Sequence, residues 1–99
     1  MLTLKTDAEL LAGLAEKCRE LRLRQNMSQQ EVAERAGIAL RTYRRFEQEG
    51  PISLERFVAV VRALNRLDEL EGLLNPPPVR DLRDLDNRTP LRKRAGRKP

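Results

Sequence analysis

Three arginines define the chemistry open to this chain. Arg41, Arg44 and Arg45 fall in a short stretch, Ala39 to Gln48, together with Tyr43 and Phe46. At helical spacing Tyr43 and Phe46 share an inner face, and Leu40 and the three guanidinium groups are left to point outward. A guanidinium is always charged and carries a fork of donors, so it can grip guanine O6 and N7 together or hold a phosphate. The plainer reading of the same face is a solvated helix surface. Other chemistry is poorly supplied. The sequence contains no histidine and one cysteine, Cys18, so neither an internal disulfide nor a zinc site is expected. No nucleophile is paired with a base and no glycine-rich loop is set to cradle phosphate, so no enzyme and no cofactor is expected.

The elements that must position the arginines are legible nearby. Ser28 followed by Glu31 has the spacing of a reciprocal capping box, and Met27 can pack ahead of it as a hydrophobic staple. Val32, Ala33 and Ala36 recur at helical spacing, and Gly37 supplies the left-handed residue that ends a helix. The next helix is expected from about Ala39 to Gln48. Two short helices joined by a tight glycine turn, the second presenting arginines, form a helix-turn-helix over about residues 28–48.

Upstream, Thr6 and Glu9 repeat the capping-box spacing and predict a first helix, Asp7 to Arg24, with Leu10, Leu14, Cys18 and Leu21 inward and Leu11 widening the stripe. Cys18 on that stripe reads as a small core residue. Downstream, Gly50-Pro51 breaks the chain and Ser53 caps a fourth helix, Leu54 to Leu64, with Leu54, Phe57, Val58, Val61 and Leu64 inward. A fifth helix is expected from Leu67 to Leu74. Its Leu67, Leu70, Leu73 and Leu74 either complete the core or form a two-fold or partner interface. Pro76-Pro77-Pro78 ends helical structure.

Charge divides the chain at the same place. Residues 1–75 hold twelve basic and twelve acidic residues, so the net charge of +5 comes entirely from the residues after Asn75. A domain at 1–75 and a disordered, Pro-led basic tail at 76–99 are therefore expected, the tail adding salt-sensitive attraction to a polyanion. Val79 to Asp86 could form a short helix on a partner. No run is long and apolar enough for a membrane span, and a cytoplasmic protein, nucleoid-associated in a bacterium, is the expectation.

The segment SQQEVAERAGIALRTYRRFE resembles the core of the Cro and phage-repressor type of helix-turn-helix protein, the xenobiotic-response-element (XRE) family, and the resemblance extends from about Leu14 to Leu74. The run Gln29 to Ile38 is specific as a set. The resemblance implies an all-α, five-helix, lambda-repressor-like domain that binds double-stranded DNA as a homodimer, reads a palindromic operator and represses its own promoter. It places Ala39, Leu40, Arg41 and Thr42 at base edges with Arg45 one turn later, Leu40 as an exposed contact for a thymine methyl, and Gln29 at a phosphate. Arg44 and Arg45 are left open between bases and phosphates. It also implies an ion pair between Arg22 and Glu47 that braces the first helix against the reading helix. One departure stands out: the family usually closes that helix with Glu-Asn-Gly, and this chain has Glu47-Gln48-Glu49-Gly50, so an irregular turn is expected there. Small members of the family are often antitoxins, so a HipB-like antitoxin that holds a HipA-like kinase toxin through its last helix and tail is the alternative. A protein- or RNA-binding adaptor is the third class, disfavoured because the outward arginines are retained.

Overall fold

The computed structural model describes residues 5–78, which form five helices and no strand. The expectations for the basic tail and for a partner helix at 79–86 lie outside the described residues. In chain order the helices are α1 (Asp7–Arg24), α2 (Gln29–Ala36), α3 (Leu40–Glu49), α4 (Leu54–Ala63) and α5 (Leu67–Glu71). α1 packs on α3, α2 on both α3 and α4, and α4 carries α5. None of these helices is long and apolar enough to cross a membrane.

Local capping chemistry sets the helix starts. Thr6 Oγ1 accepts the Glu9 amide at 3.1 Å while the Glu9 carboxylate accepts the Thr6 amide at 2.9 Å. Ser28 and Glu31 repeat the exchange at 3.0 and 2.8 Å, and Ser53 Oγ accepts the Arg56 amide at 3.2 Å. Each bond satisfies a backbone donor that the first helical turn leaves without a partner. Gly37 ends α2 at φ 72°, and Asn26 takes φ 57° after α1. The end of α1 is tied to the end of α4: Gln25 Nε2 donates to the Leu64 carbonyl at 2.8 Å and Asn65 Nδ2 donates to Gln25 Oε1 at 3.1 Å.

The turn after α3 is irregular, as expected: Gly50 sits at φ 102°, ψ −46°, outside the usual left-handed cap. α3 runs through Glu49, and Gly50 closes it by donating its amide to the Phe46 carbonyl at 2.9 Å. Gly50 has φ 102°, and a Cβ there would lie 3.1 Å from the backbone of Leu11 and Ala12. Glycine is thus required twice, by its dihedral and by the close passage of α1.

Ala15, Cys18, Met27, Val32, Ala33, Tyr43, Phe46, Val60, Ala63 and Leu64 form the core. The expected stripe of α1 holds at Cys18 and, half-buried, at Leu21, but not at the leucines nearer its start. Ala15, Cys18 and Arg22 are its buried residues, whereas Leu10, Leu11 and Leu14 are exposed. Small residues face α3 because the two helices meet closely, and the leucines are turned to the flank. There Leu11 and Leu14, with Phe46, Ile52, Leu54 and Phe57, line a groove of about 260 Å³. The same displacement affects α4: Leu54, expected inward, is 77% exposed at the groove rim, and Val60 is buried in its place. α5 stops at Glu71, three residues short of Leu74, and buries none of its residues. Leu67 and Leu70 are half-buried, and Leu73 and Leu74 are exposed.

Candidate nucleic-acid interface

Tyr43 and Phe46 anchor α3 from behind. Both are essentially fully buried, their ring centroids lie 6.0 Å apart, and Phe46 meets Phe57 edge-on at 6.1 Å. Burial of two aromatic side chains supplies much of the energy that seats so short a helix, and the offset geometry adds to it.

One carboxylate then fixes the helix in rotation and register. Glu47 accepts from Arg22 Nε at 2.7 Å and Nη2 at 3.1 Å, from Gln29 Nε2 at 2.9 Å, and from the Tyr43 hydroxyl. Arg22 also donates through Nη1 to the Met27 carbonyl at 3.1 Å. A single side chain of α3 is therefore tied to α1 and α2 as well as to its own helix. The Arg22 and Glu47 side chains are only 9% and 3% exposed. Burial alone would push the Glu47 carboxyl up, but the hydrogen bonds from Arg22, Tyr43 and Gln29 outweigh it and hold the group below the ordinary carboxylate range. The same bond to Glu47 holds the Arg22 guanidinium above its ordinary value. Burial, then the bond to Glu47, pushes the Tyr43 hydroxyl well above the usual phenol range. Cys18, beneath this group, is pushed up to about 11, first by burial and then by the Glu47 charge. Its thiol is inert, as a small core residue should be. Among the described residues no buried side-chain polar atom lacks a partner.

The outer face presents the arginines. Arg41, Arg44 and Arg45 are all exposed on α3. Arg41 makes no ion pair among the described residues. Arg44 Nε donates to Gln29 Oε1 at 3.4 Å, and Arg45 Nε donates to the Glu49 carboxylate at 3.2 Å. Ala39 is the exposed N-cap and contributes no side-chain bond. Thr42 is half-buried. Leu40 departs from expectation: it is half-buried and packs against the core, so only part of it can meet a ligand. Gln29, expected at a phosphate, has its side chain engaged by both Glu47 and Arg44.

The structure thus brings Gln29, Arg41, Arg44 and Arg45 to neighbouring positions on α2 and α3 and sets Leu67, Leu70, Leu73 and Leu74 apart on and beyond α5. Two partners were not foreseen from sequence: Glu49 for Arg45, and Gln29 for Glu47 and Arg44. The first has an i,i+4 spacing that could have shown it, whereas the second is set only by the crossing of two helices. The described residues include no cluster of His, Cys, Asp and Glu suited to a metal ion. A protein-family model described as helix-turn-helix matches residues 19–70, from the middle of α1 to the last turn of α5. No curated protein matches the chain.

Proposed function

The chain belongs to the helix-turn-helix family of the Cro and phage-repressor (XRE) type, a family of DNA-binding transcriptional regulators, and we propose that it is an autorepressor reading a palindromic operator as a homodimer. α3 enters the major groove, where an α-helix fits and side chains near its start approach base edges. Arg41 grips a guanine, Arg45 follows one turn later after exchanging Glu49 for DNA, and the exposed parts of Ala39, Leu40 and Thr42 complete the contact. Gln29 lies against a phosphate at the start of α2, where the helix dipole favours an anion. The domain is residues 1–75, and the basic tail at 76–99 adds salt-sensitive attraction. The protein works in the cytoplasm on its own promoter.

The observation that carries this reading is a helix buried and clamped on one face while its other face holds three exposed arginines. Footprinting on the DNA upstream of the chain's own coding sequence tests it. Wild-type protein should protect two half-sites about one helical turn apart. Arg41→Ala and Arg45→Ala should lose that protection; protection unchanged by both removes the mechanism.

The exposed Leu73 and Leu74 favour a second reading beside the first. In it the chain is also an antitoxin, with the leucines of α5 and the tail holding a toxin, a kinase-type one being the first to seek. Co-purification of the chain with products of its own operon, with and without residues after Asn75, separates the two.

A further inference from the structure

Gln29 lies between Glu47 and Arg44, and its amide can serve both in one orientation only. The Glu47 carboxylate is ionised and already holds Arg22, so it accepts and cannot donate. The NH₂ of Gln29 must therefore face it, at 2.9 Å, and the amide oxygen is turned toward Arg44 Nε. Reversing the amide would set oxygen against carboxylate and NH₂ against guanidinium, two repulsive contacts in place of two hydrogen bonds. Orientation thus passes from a buried ion pair to an exposed arginine through a single side chain.

Arg44 needs such guidance because of its neighbours. Arg41 stands three residues before Arg44 and four before Arg45, the helical spacings at which like charges face each other and repel. They separate by taking different partners: Arg45 pairs with Glu49, Arg44 leans to Gln29 at the first residue of α2, and Arg41 is free of ion pairs among the described residues. Leaning toward α2 carries the Arg44 guanidinium away from the start of α3, where base edges are met, and leaves both terminal NH₂ groups available.

We propose that Gln29 is the positioning residue that assigns Arg44 to the phosphate backbone of DNA, leaving base discrimination on α3 to Arg41 and Arg45. This rests on the reading of α3 as the DNA-contacting helix. In consequence Arg44 contributes affinity but no sequence information.

The test uses the full chain, a duplex it selects from a random pool, and a scrambled duplex of the same composition, with binding followed by fluorescence anisotropy across a salt series. Arg44→Ala should weaken binding to both duplexes by the same factor, about tenfold, and reduce the slope of log K against log salt by about one, the share of a single phosphate contact. Arg44→Lys should restore most of that slope, because a point charge suffices for phosphate but not for a bidentate base contact. Gln29→Ala should reproduce part of the Arg44→Ala loss without changing the selected sequence, and in the Arg44→Ala background it should cost less than in the wild type, only its own phosphate contact being left to lose. Arg41→Ala should instead change the selected sequence. The assignment is overturned if Arg44→Ala relaxes selection at one base pair, if Arg44→Lys fails to restore the slope, or if the Gln29 and Arg44 losses simply add. If substitutions at 41, 44 and 45 all leave both duplexes bound as before, the failure belongs to the reading of α3 itself.

Discussion

α3 and α5 both expose side chains to solvent, yet the fold holds them in opposite ways. α3 buries Tyr43 and Phe46 completely, and its Glu47 is bonded from α1, from α2 and from within α3. α5 is five residues long, buries nothing, and starts at Arg66 without a side-chain cap, its first turn carrying only the exposed ion pair of Arg66 with Glu69. The difference matches the roles proposed for the two helices. A helix that discriminates bases has to be placed within a fraction of an ångström, so its supporting side chains must leave it no freedom. A surface completed by a partner can receive its remaining burial on association, and a loosely held leucine face suffices. In this molecule position is fixed by a buried polar cluster rather than by packing alone, because a carboxylate with four donors has a single satisfying arrangement.

Removing the clamp should give the largest effect. Glu47→Ala leaves the Arg22 guanidinium buried without its carboxylate and takes the acceptor from Gln29 and Tyr43. Breaking a buried pair on one side costs about 3–5 kcal/mol. Urea denaturation should show that loss, a large fraction of the stability of so small a domain. A loss below about 1 kcal/mol would place the clamp among ordinary surface pairs and erase the contrast with α5.

The pH dependence of the same region comes next. Cys18 has its pKa raised from 9.0 to about 11, so the folded state keeps a proton that the unfolded chain gives up. That stabilisation is complete below pH 9 and is lost as the pH rises toward 11, with Tyr43, also shifted upward, adding to the loss above about pH 10. At the acid end Glu47 is shifted downward, so its contribution is present above about pH 4.3 and disappears as the pH falls through the folded value. Between pH 8 and pH 11 the Cys18 shift alone should cost roughly 2 kcal/mol in chemical denaturation, Tyr43 adding to it, and Cys18→Ala should narrow the difference. An equal alkaline loss in Cys18→Ala would remove the thiol from the account.

How much of this was legible in the residues depends on the range of the interaction. The starts of α1, α2 and α4 and the end of α2 followed from Thr6, Ser28, Ser53 and Gly37, because a cap is decided within a few residues. The outward direction of Arg41, Arg44 and Arg45 followed from the inward direction of Tyr43 and Phe46. The buried face of α1 did so only in part. The stripe correctly placed Cys18 inward but also favoured Leu10 and Leu14, whereas close approach to α3 selected Ala15 and placed Arg22 in the interior. Apolar periodicity weights large residues, and a close helix crossing requires small ones. Leu40 departs from its sequence pattern for a related reason, since a helix phase alone does not show how far the core extends around the helix. The Arg22–Glu47 pair was legible only through resemblance to a family, and the place of Gln29 beside it was not legible at all.

A smaller effect would sharpen the comparison from the side of α1, which supports α3. Gly13 lies inside α1, and a Cβ there would meet nothing within 4 Å. Gly13→Ala should stabilise the fold by about 0.5–1 kcal/mol, because alanine loses less backbone entropy on entering a helix. A rise in melting temperature of a few degrees should follow. A fall would mean that the first half of α1 needs the freedom glycine gives.

The smallest effect on stability, and the one that isolates the end of the chain just beyond α5, is expected at Leu73 and Leu74. They are 61% and 91% exposed, and Leu74 holds φ 65°, an uncomfortable value for a leucine. Replacing both with aspartate removes little buried surface, so the unfolding free energy at low protein concentration should move by no more than about 0.5 kcal/mol. Association should respond differently. If these leucines meet a second copy of the chain, sedimentation at increasing concentration should show wild-type dimers and monomeric double variant, and operator affinity should fall as paired half-sites are lost. If they meet a toxin, the double variant should remain dimeric and repress while no longer co-purifying with the partner. A double variant that loses several kcal/mol as a monomer would instead make α5 a structural helix like α3, and the division between a clamped reading helix and a loosely held partner helix would not stand.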